Sequence, residues 1–321
     1  MRILVTGGAG FIGSHLCERL INDGHVVTAL DNFSTGMASN LVNLKGIGEF
    51  TLVEGSILDT DLLTSLINEA DYVFHLAAAV GVFNIVNNPL ASLLTNIRGT
   101  ENVLEAAHST KTPVFLTSSS EVYGKNISDS LRESDDRILG SPVTLRWSYS
   151  EAKAIDESLA YGYFVEKQLE ARIVRLFNTV GPRQLGAYGM VVPRFVEAAL
   201  ANEPITIYGD GNQTRCFAHV YDVVDAVTAI AFAENTIGKV INIGNNYEIS
   251  INGLAKKIIE ETSSKSEIVY VPYEEAYGDG FEDMERRIPN IDLINQLVGW
   301  KPKRDLSTMI ADISVEMKKI S

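Results

Sequence analysis

Short apolar runs alternate with helical patterns through the first half of the chain. Six of these runs are rich in Val, Ile and Leu and lack polar alternation, which predicts strands buried on both faces. They cover residues 2–7, 25–31, 50–55, 72–77, 113–118 and 171–177. Pro89 favours the start of one of the intervening helices, and helical patterns cover residues 11–23, 62–70, 89–108 and 150–166. The repeated order of strand, helix and strand predicts a doubly wound parallel α/β sheet.

After residue 177 the pattern changes to loops, short strands and glycine-rich turns. Residues 238–245 again form an apolar run, which predicts that the chain returns to the sheet there. We therefore expect a nucleotide-binding unit formed by residues 1–176 with about 222–246, and a smaller C-terminal substrate-binding lobe formed by residues 177–221 with about 247–321. Because no flexible linker separates the two, they are expected to fold as one interleaved unit.

Composition and charge exclude several classes of protein. With 45% hydrophobic and 21% charged residues, a chain of 321 residues is typical of a globular protein with an ample core. A formal net charge of −14 opposes binding to the phosphate backbone of nucleic acids. No apolar stretch reaches the ~18 residues that a membrane span requires, so no membrane partner is expected. Glycines interrupt the apolar run at the amino terminus, which opposes a signal peptide.

The cysteine and histidine residues indicate a reducing compartment and no metal chemistry. The two cysteines, Cys17 and Cys216, lack the spacing of a redox or metal motif. The five histidines include no pair at the spacing of metal ligands. We therefore predict a cytoplasmic location and no metal site.

A glycine-rich segment, GGAGFIG, follows the first predicted strand and precedes a helix. Gly7 permits the tight turn, Gly10 lets the backbone approach a pyrophosphate, and Gly13 allows the helix to pack closely on the strand. The phosphates would then lie at the positive end of the helix. Asp31 ends the second strand 18 residues after Gly13, where its carboxylate can bind ribose hydroxyls and repel a 2′-phosphate. The pattern predicts a Rossmann-type fold that binds NAD in preference to NADP.

A tyrosine and a lysine four residues apart form a candidate catalytic pair. Tyr149 and Lys153 share one face of a predicted helix. A free phenol is mostly protonated at neutral pH, but a neighbouring ammonium or a nicotinium ring favours the phenolate. The pair could therefore act as a general base toward an alcohol, although such a pair taken alone is more often a solvated feature of a helix surface.

Six motifs occur in a fixed order along more than half of the chain: GGAGFIG, DNFSTG, HLAA, SSSEVYG, YSEAK and RLFNTVGPR. In this set the chain resembles the extended short-chain dehydrogenase/reductases that act on nucleotide sugars. The resemblance implies that Tyr149, Lys153 and Ser119 are catalytic and that NAD is the cofactor. It also implies a cofactor site formed by Gly7, Gly10, Phe11, Ile12, Gly13, Asp31, Asn32, Ser34, Gly36, Ser56, Ile57, Leu76, Ala77, Ala78, Tyr149 and Lys153.

The chain departs from the family pattern at one predicted adenine contact. The segment GSILD has Ser56 where the family usually has an aspartate. Adenine binding at this position would then depend on Ile57 and on backbone groups.

The polar segment TSSSEVYGK, residues 117–125, directly follows a predicted buried strand. Open α/β sheets bind ligands at the carboxyl ends of their parallel strands, so this turn is expected to form an edge of the active site. Ser119 could hydrogen-bond the reacting sugar hydroxyl and pass its proton toward Tyr149. The hydride of the same carbon would go to the nicotinamide.

Members of the family share a 4-keto intermediate and differ in the reaction that this intermediate then undergoes. Hexose 4,6-dehydratases use an Asp-Glu pair after the catalytic Ser or Thr, whereas this chain has Ser120 and Glu121. That turn resembles the one in UDP-glucuronate decarboxylases, and residues 277–291 resemble the corresponding segment of the polymyxin-resistance decarboxylase domain. The resemblance implies that Glu121 and Arg287 are catalytic and that Ser120 contacts the substrate carboxylate. Arg287 could instead bind the diphosphate of any nucleotide sugar.

The resemblance also places residues around the nucleotide sugar. Arginine is suited to bidentate contact with a diphosphate, and Arg215 matches the family's diphosphate arginine. The remaining substrate-binding residues that it implies are Asn178, Val191, Thr206 and Tyr208. The helices at 89–108 and 150–166 are rich in Leu and Ala, and their counterparts in the family pair between two subunits, so a homodimer is expected.

Several functions remain open on the sequence. The leading hypothesis is an NAD-dependent UDP-glucuronate decarboxylase that forms UDP-xylose or a UDP-4-keto-pentose. A UDP-hexose or UDP-uronate 4-epimerase is the alternative within the enzymes. A non-catalytic, NAD-sensing protein is a minor alternative, because Ser119, Tyr149 and Lys153 are intact. A simple ketone reductase usually prefers NADP, which Asp31 opposes.

Overall fold

A parallel sheet forms the centre of the computed structural model, which describes residues 1–44, 46–81, 88–186, 190–272, 275, 284 and 286–320. Among these residues the sheet has seven strands in the order β11-β6-β5-β4-β1-β2-β3, and every neighbouring pair is parallel. The strands are β1 (Arg2–Thr6), β2 (Val26–Asp31), β3 (Phe50–Glu54), β4 (Tyr72–His75), β5 (Val114–Ser119), β6 (Ala171–Leu176) and β11 (Val240–Ile243). The predicted α/β fold and the return of the chain to the sheet at β11 are confirmed.

Helices cover both faces of this sheet. They are α1 (Phe11–Asn22), α2 (Thr60–Asn68), α3 (Pro89–Thr110), α4 (Ser148–Lys167) and α6 (Val220–Ala231). Leu16 and Leu20 of α1 pack with Val223 of α6 in the core on one face. Val103 of α3 packs with Ala160 of α4 in the core on the opposite face. The strands are nearly continuous apolar runs because each of them contributes side chains to both cores.

Local signals explain where several helices begin and end. The carboxylate of Asp59 accepts a hydrogen bond from the Leu62 amide at 3.1 Å and caps the start of α2. Lys111 and Gln168, which end α3 and α4, both have left-handed backbone conformations. Among the described residues, no helix combines the length and apolar character needed to cross a membrane.

A second, smaller core lies among the C-terminal elements. It is formed mainly by α5 (Val191–Ala201), β8 (Ile205–Tyr208), α7 (Ile251–Thr262) and α9 (Leu306–Ile320). Short strands complete this part of the chain: β7 (Thr179–Val180), β9 (Thr214–Cys216), β10 (Ala218–His219), β12 (Glu248–Ser250) and β13 (Ile268–Val271). This core supports a separate lobe, but the lobe boundaries stay a prediction. Ile294 of α8 (Asp292–Val298) and Trp300 pack instead against the core of the main sheet.

Candidate active site

A cavity of about 730 Å³ opens at the carboxyl ends of the central strands. The sheet order reverses between β1 and β4, and open α/β sheets bind ligands outside such a point. The wall is formed by the glycine-rich loop, the turn after β5, the start of α4, and residues of the smaller lobe. The sequence motifs that were predicted to share one site therefore do share one cavity.

The glycine-rich loop has a shape that side chains would block. Gly7 has φ +72°, and a Cβ atom there would lie 2.7 Å from the Ala77 nitrogen. A Cβ atom on Gly13 would lie 2.1 Å from the Gly7 carbonyl oxygen. Both contacts are too close for any side chain, so the loop stays open to a ligand that approaches the backbone at the start of α1. This is the cradle that a dinucleotide pyrophosphate requires.

Asp31 shapes the same loop with both of its carboxylate oxygens. Oδ2 accepts a hydrogen bond from the Ala9 amide at 2.9 Å, and Oδ1 accepts one from the Phe33 amide at 2.8 Å. Each carboxylate oxygen keeps capacity for a further hydrogen bond, as binding of ribose hydroxyls requires. Gly36 lies against this carboxylate, since a Cβ atom there would come within 2.9 Å of both oxygens.

The predicted cofactor residues divide into two groups. Gly36 does not line the cavity, and it lies close to the Asp31 carboxylate. The others do line the cavity, and Ser56 also accepts a hydrogen bond from the Leu58 amide at 3.2 Å. The cavity-lining cofactor residues are Gly7, Gly10, Phe11, Ile12, Gly13, Asp31, Asn32, Ser34, Ser56, Ile57, Leu76, Ala77, Ala78, Tyr149 and Lys153.

The tyrosine and lysine pair lies at the start of α4, beside the cavity. Lys153 is 2% exposed, and its Nζ atom lies 3.1 Å from Oδ2 of Asp156. Burial raises the pKa of Tyr149, whereas the Lys153 ammonium and a hydrogen bond with Ser119 lower it. Burial lowers the pKa of Lys153, but Asp156 and its other neighbours outweigh this and leave the pKa raised. In this structure the pair is a neutral phenol beside an ammonium ion.

The turn after β5 brings Ser119 and Glu121 to the cavity wall. The Ser119 hydroxyl accepts a hydrogen bond from the Glu121 amide at 3.2 Å and so caps a short 3₁₀ turn, Ser120–Tyr123. Ser120 is buried and also lines the cavity. The polar segment therefore lies at the cavity wall, and its part in an active site stays a prediction.

Glu121 lies between two arginines. Its Oε2 atom is 2.6 Å from Nη1 of Arg146, and its Oε1 atom is 2.5 Å from Nη1 of Arg287. Burial by itself would raise the pKa of Glu121, but the two guanidinium groups outweigh burial and lower the pKa to about 2. Glu121 is therefore a carboxylate at neutral pH. The three side chains together carry one net positive charge.

Arg287 reaches this cluster from the C-terminal part of the chain. Its Nη2 atom donates a hydrogen bond to Oδ1 of Asn178 at 2.9 Å, so Asn178 orients this arginine. The Nε atom of Arg287 is buried and has no hydrogen-bond partner among the described residues. Most of the segment before it that resembles the decarboxylase domain, residues 277–283 and 285, lies outside the described residues.

The residues predicted to hold the nucleotide end of the substrate are only partly together. Arg215, Tyr208 and Val191 line the cavity. Thr206 does not, and its carbonyl oxygen instead accepts a hydrogen bond from Nη2 of Arg194 at 3.1 Å. The Arg194 guanidinium also lies 4.4 Å from the centre of the Tyr208 ring. Arg194 itself lines the cavity, next to Tyr208.

Two charged residues near Glu121 and Lys153 were missed by sequence analysis. Arg146 lies three residues before Tyr149, in the short 3₁₀ turn Leu145–Trp147 that leads into α4, and it contacts Glu121 from there. Asp156 follows Lys153 by three residues and contacts it in the same way. Their spacing was a usable signal, but spacing does not show whether a charged side chain faces solvent or a buried partner.

The chain belongs to the NAD-dependent epimerase/dehydratase family, because residues 3–244 match the model of that family. Curated relatives include a UDP-N-acetyl-alpha-D-glucosaminuronate decarboxylase of Bacillus cytotoxicus, which is 43% identical over 302 residues (94% of this chain and 92% of the relative). UDP-glucuronic acid decarboxylase 1 of Xenopus tropicalis is 36% identical over 303 residues (94% of this chain and 68% of the relative).

A solved structure of similar fold is UDP-glucuronic acid 4-epimerase from Bacillus cereus in complex with UDP-glucuronic acid and NAD. It matches with a TM-score of 0.90 and 29% identity, covering 100% of both chains. These findings confirm the predicted family, the fold, an enzymatic activity and the cofactor NAD. The roles of individual site residues stay predictions.

Proposed function

We propose that this enzyme decarboxylates a UDP-hexuronate through a 4-keto intermediate. The observation that carries the proposal is the cluster of Arg146, Glu121 and Arg287 in the cavity wall, close to Tyr149. Its net positive charge suits a substrate whose sugar bears a carboxylate. The names of the two curated relatives, which are both uronate decarboxylases, support the same substrate class.

Oxidation of the sugar begins with removal of a proton from its 4-hydroxyl. We assign Tyr149 as the base. Burial favours its neutral phenol, and the charge of Lys153, a hydrogen bond with Ser119 and the positive nicotinium ring of bound NAD would favour the phenolate that accepts the proton. When bound, NAD would accept the hydride from carbon 4 and would later return it. The residues that fit NAD are the glycine cradle and the Asp31 carboxylate.

Loss of carbon dioxide comes next because a uronate oxidised at carbon 4 is a β-keto acid. The bond between carbon 5 and the carboxylate breaks, its electron pair forms an enolate, and carbon 5 then takes a proton. Ser120 and Arg287, which both line the cavity, are suited to hold the carboxylate before this step. Glu121 keeps both guanidinium groups beside the forming enolate, where positive charge stabilises it.

The substituent at carbon 2 of the sugar separates two candidate substrates. One curated relative is named for an N-acetylated uronate and the other for glucuronate. Both sugars carry the carboxylate that the arginine cluster would bind. The proposal therefore covers both, and an assay with each sugar distinguishes them.

A UDP-uronate 4-epimerase is the second candidate. The solved structure of UDP-glucuronic acid 4-epimerase supports it, because that enzyme also receives a uronate. An epimerase would reduce the opposite face of the ketone and release a product of unchanged mass.

The test is to incubate the purified chain with NAD and either UDP-glucuronate or UDP-N-acetylglucosaminuronate. We expect release of carbon dioxide together with a nucleotide sugar that is lighter by that mass. The faster substrate identifies the preferred group at carbon 2. A product of unchanged mass would instead establish an epimerase, and no turnover of either substrate would overturn the proposal.

We also propose a homodimer formed through α3 and α4. These helices pack on each other and leave apolar side chains exposed: Leu90 at 67%, Ile155 at 41%, Tyr161 at 51% and Val165 at 58%. In sedimentation experiments Val165→Glu should shift the chain from dimer to monomer, because it places a charge in the interface. Val315→Glu is the matched control, since Val315 is 54% exposed on α9 and should leave the dimer intact. A wild-type monomer would contradict the proposal.

The cytoplasmic location of the protein also remains a prediction.

A further inference from the structure

The catalytic lysine has a buried counter-ion that the family motif does not include. Asp156 follows Lys153 by three residues on α4, and the two side chains meet at 3.1 Å. Their side chains are 2% and 0% exposed, so solvent does not screen the pair. Each unscreened charge acts on an ionisable group beside it, and on Tyr149, one helical turn before Lys153, the two act in opposite directions: Lys153 lowers its pKa and Asp156 raises it.

We propose that Asp156 is a positioning residue, which fixes the Lys153 ammonium and sets the acidity of Tyr149 through its charge. The inference rests on the roles of Tyr149 and Lys153 in the proposed function. An ammonium ion has three donors, and Asp156 occupies one of them. Two donors remain for the phenol side of the site and for ribose hydroxyls.

The burial of Asp156 indicates a role beyond stability. Its Oδ1 atom is buried, and besides the lysine this carboxylate meets the neutral hydroxyl of Thr100. Buried ion pairs contribute little net stability, because desolvation costs about as much as the attraction returns. A fully buried carboxylate whose one charged contact is the Lys153 ammonium, among the described residues, is therefore better explained by its action on that lysine.

The neighbouring acid on α4 does not share this role. Glu157 makes hydrogen bonds at 2.9, 3.2 and 2.8 Å with Arg175 of β6, and it accepts another from Ser118 at 2.5 Å. Its charge is thus matched by a guanidinium in the core. Asp156 is the carboxylate in direct contact with the lysine ammonium among the described residues.

Two further titratable groups face the pair from other elements. His75 of β4 is hydrogen-bonded to Thr6 at 2.8 Å and to Thr100 at 3.1 Å, and burial lowers its pKa to about 3, so it is neutral. Glu121, in the turn after β5, also raises the pKa of Tyr149, but ion pairs with two arginines compensate the charge of Glu121. Asp156 also raises the pKa of Tyr149, and no arginine among the described residues forms an ion pair with it.

The sign of the expected effect is set by these charges. Removing the negative charge of Asp156 leaves the positive charge of Lys153 uncompensated beside Tyr149. The phenolate then becomes easier to form, and the pKa of Tyr149 falls. At an effective dielectric constant of about 20, the expected fall is roughly one pH unit.

The experiment is an ultraviolet titration of tyrosinate in the NAD-loaded protein, with the Tyr149→Phe variant as the background. In Asp156→Asn, which preserves size, we expect the Tyr149 titration to move to lower pH by roughly one unit. Asp222→Asn is the matched control, because Asp222 is also buried and ion-paired, to Arg304, but does not line the cavity. The control should leave the titration unchanged.

An unchanged or higher titration in Asp156→Asn would overturn the proposal. If that variant is unstable, Asp156→Ala must give the same downward shift by the same measurement. Where the wild-type chain turns over a uronate, kcat/KM should rise with pH as Tyr149 ionises. In Asp156→Asn this rise should shift to lower pH by the same amount as the tyrosinate titration. Failure of all turnover would count against the proposed function, whereas the spectroscopic shift would still decide the role of Asp156.

Discussion

Tyr149→Phe is expected to lower kcat by about 10²–10⁴-fold, which is the usual contribution of a general base. The variant keeps the ring but removes the hydroxyl that Ser119 hydrogen-bonds and that Lys153 polarises. Proton removal from the sugar 4-hydroxyl then has no base, so both oxidation and the later loss of carbon dioxide stop. Steady-state assay of carbon dioxide release, together with absorbance of reduced cofactor, measures both steps.

The matched control for this variant is Tyr72→Phe. The Tyr72 hydroxyl is also buried and donates to the Ala231 carbonyl at 3.1 Å, but Tyr72 does not line the cavity. We expect Tyr72→Phe to cost about 1 kcal/mol of stability and to leave kcat nearly unchanged. Retention of wild-type kcat in Tyr149→Phe would remove this residue from the mechanism.

Glu121→Gln should reduce carbon dioxide release by about 100-fold or more while oxidation at carbon 4 stays detectable. A glutamine oxygen can accept from one arginine, but its amide nitrogen faces the other, so Arg146 and Arg287 can no longer both stay in place. Two uncompensated guanidinium groups in a buried cluster should also destabilise the protein by about 3–5 kcal/mol. Carbon dioxide release and accumulation of the keto intermediate are measured side by side.

The control for this variant is Glu248→Gln, which removes a glutamate paired with Arg286 away from the cavity. It should retain carbon dioxide release. Normal release in Glu121→Gln would refute a part for Glu121 in decarboxylation.

Because the folded pKa of Glu121 is depressed from 4.5 to about 2, the stability that Glu121 provides is present above pH 4.5 and is lost as the pH falls toward 2. The stability difference between wild type and variant should therefore shrink in acid.

The sequence predicted the fold well because its signals are local. Buried parallel strands require continuous apolar runs, and the six predicted strands and β11 occur within about two residues of their predicted ends. The glycine positions were also predictable, since the backbone around Gly7 and Gly13 leaves no room for a side chain. The family motifs identified Ser119, Tyr149 and Lys153, which line one cavity in the folded chain.

The partners of the charged residues could not be predicted in the same way. Glu121 and Arg287 are separated by 166 positions, and only the folded chain brings them to 2.5 Å. Arg146 and Asp156 look like surface charges on the sequence, because helix periodicity does not distinguish a solvated face from a buried polar one. Thr206 was placed from its motif, but the backbone of its strand turns its carbonyl toward Arg194.

The position of β11 has a consequence for how the nascent chain folds. This strand covers the open edge of β6, yet helices α5 and α6 and strands β7 to β10 are encoded between the two strands. Until residue 243 has left the ribosome, β6 presents unpaired backbone groups that can recruit a strand from another chain. The chain between β6 and β11 is also long, so pairing of the two strands closes a long loop and is expected to be slow. The edge of β6 therefore stays unpaired during synthesis until β11 is in place. Shielding of the growing polypeptide would prevent wrong strand pairing during this interval.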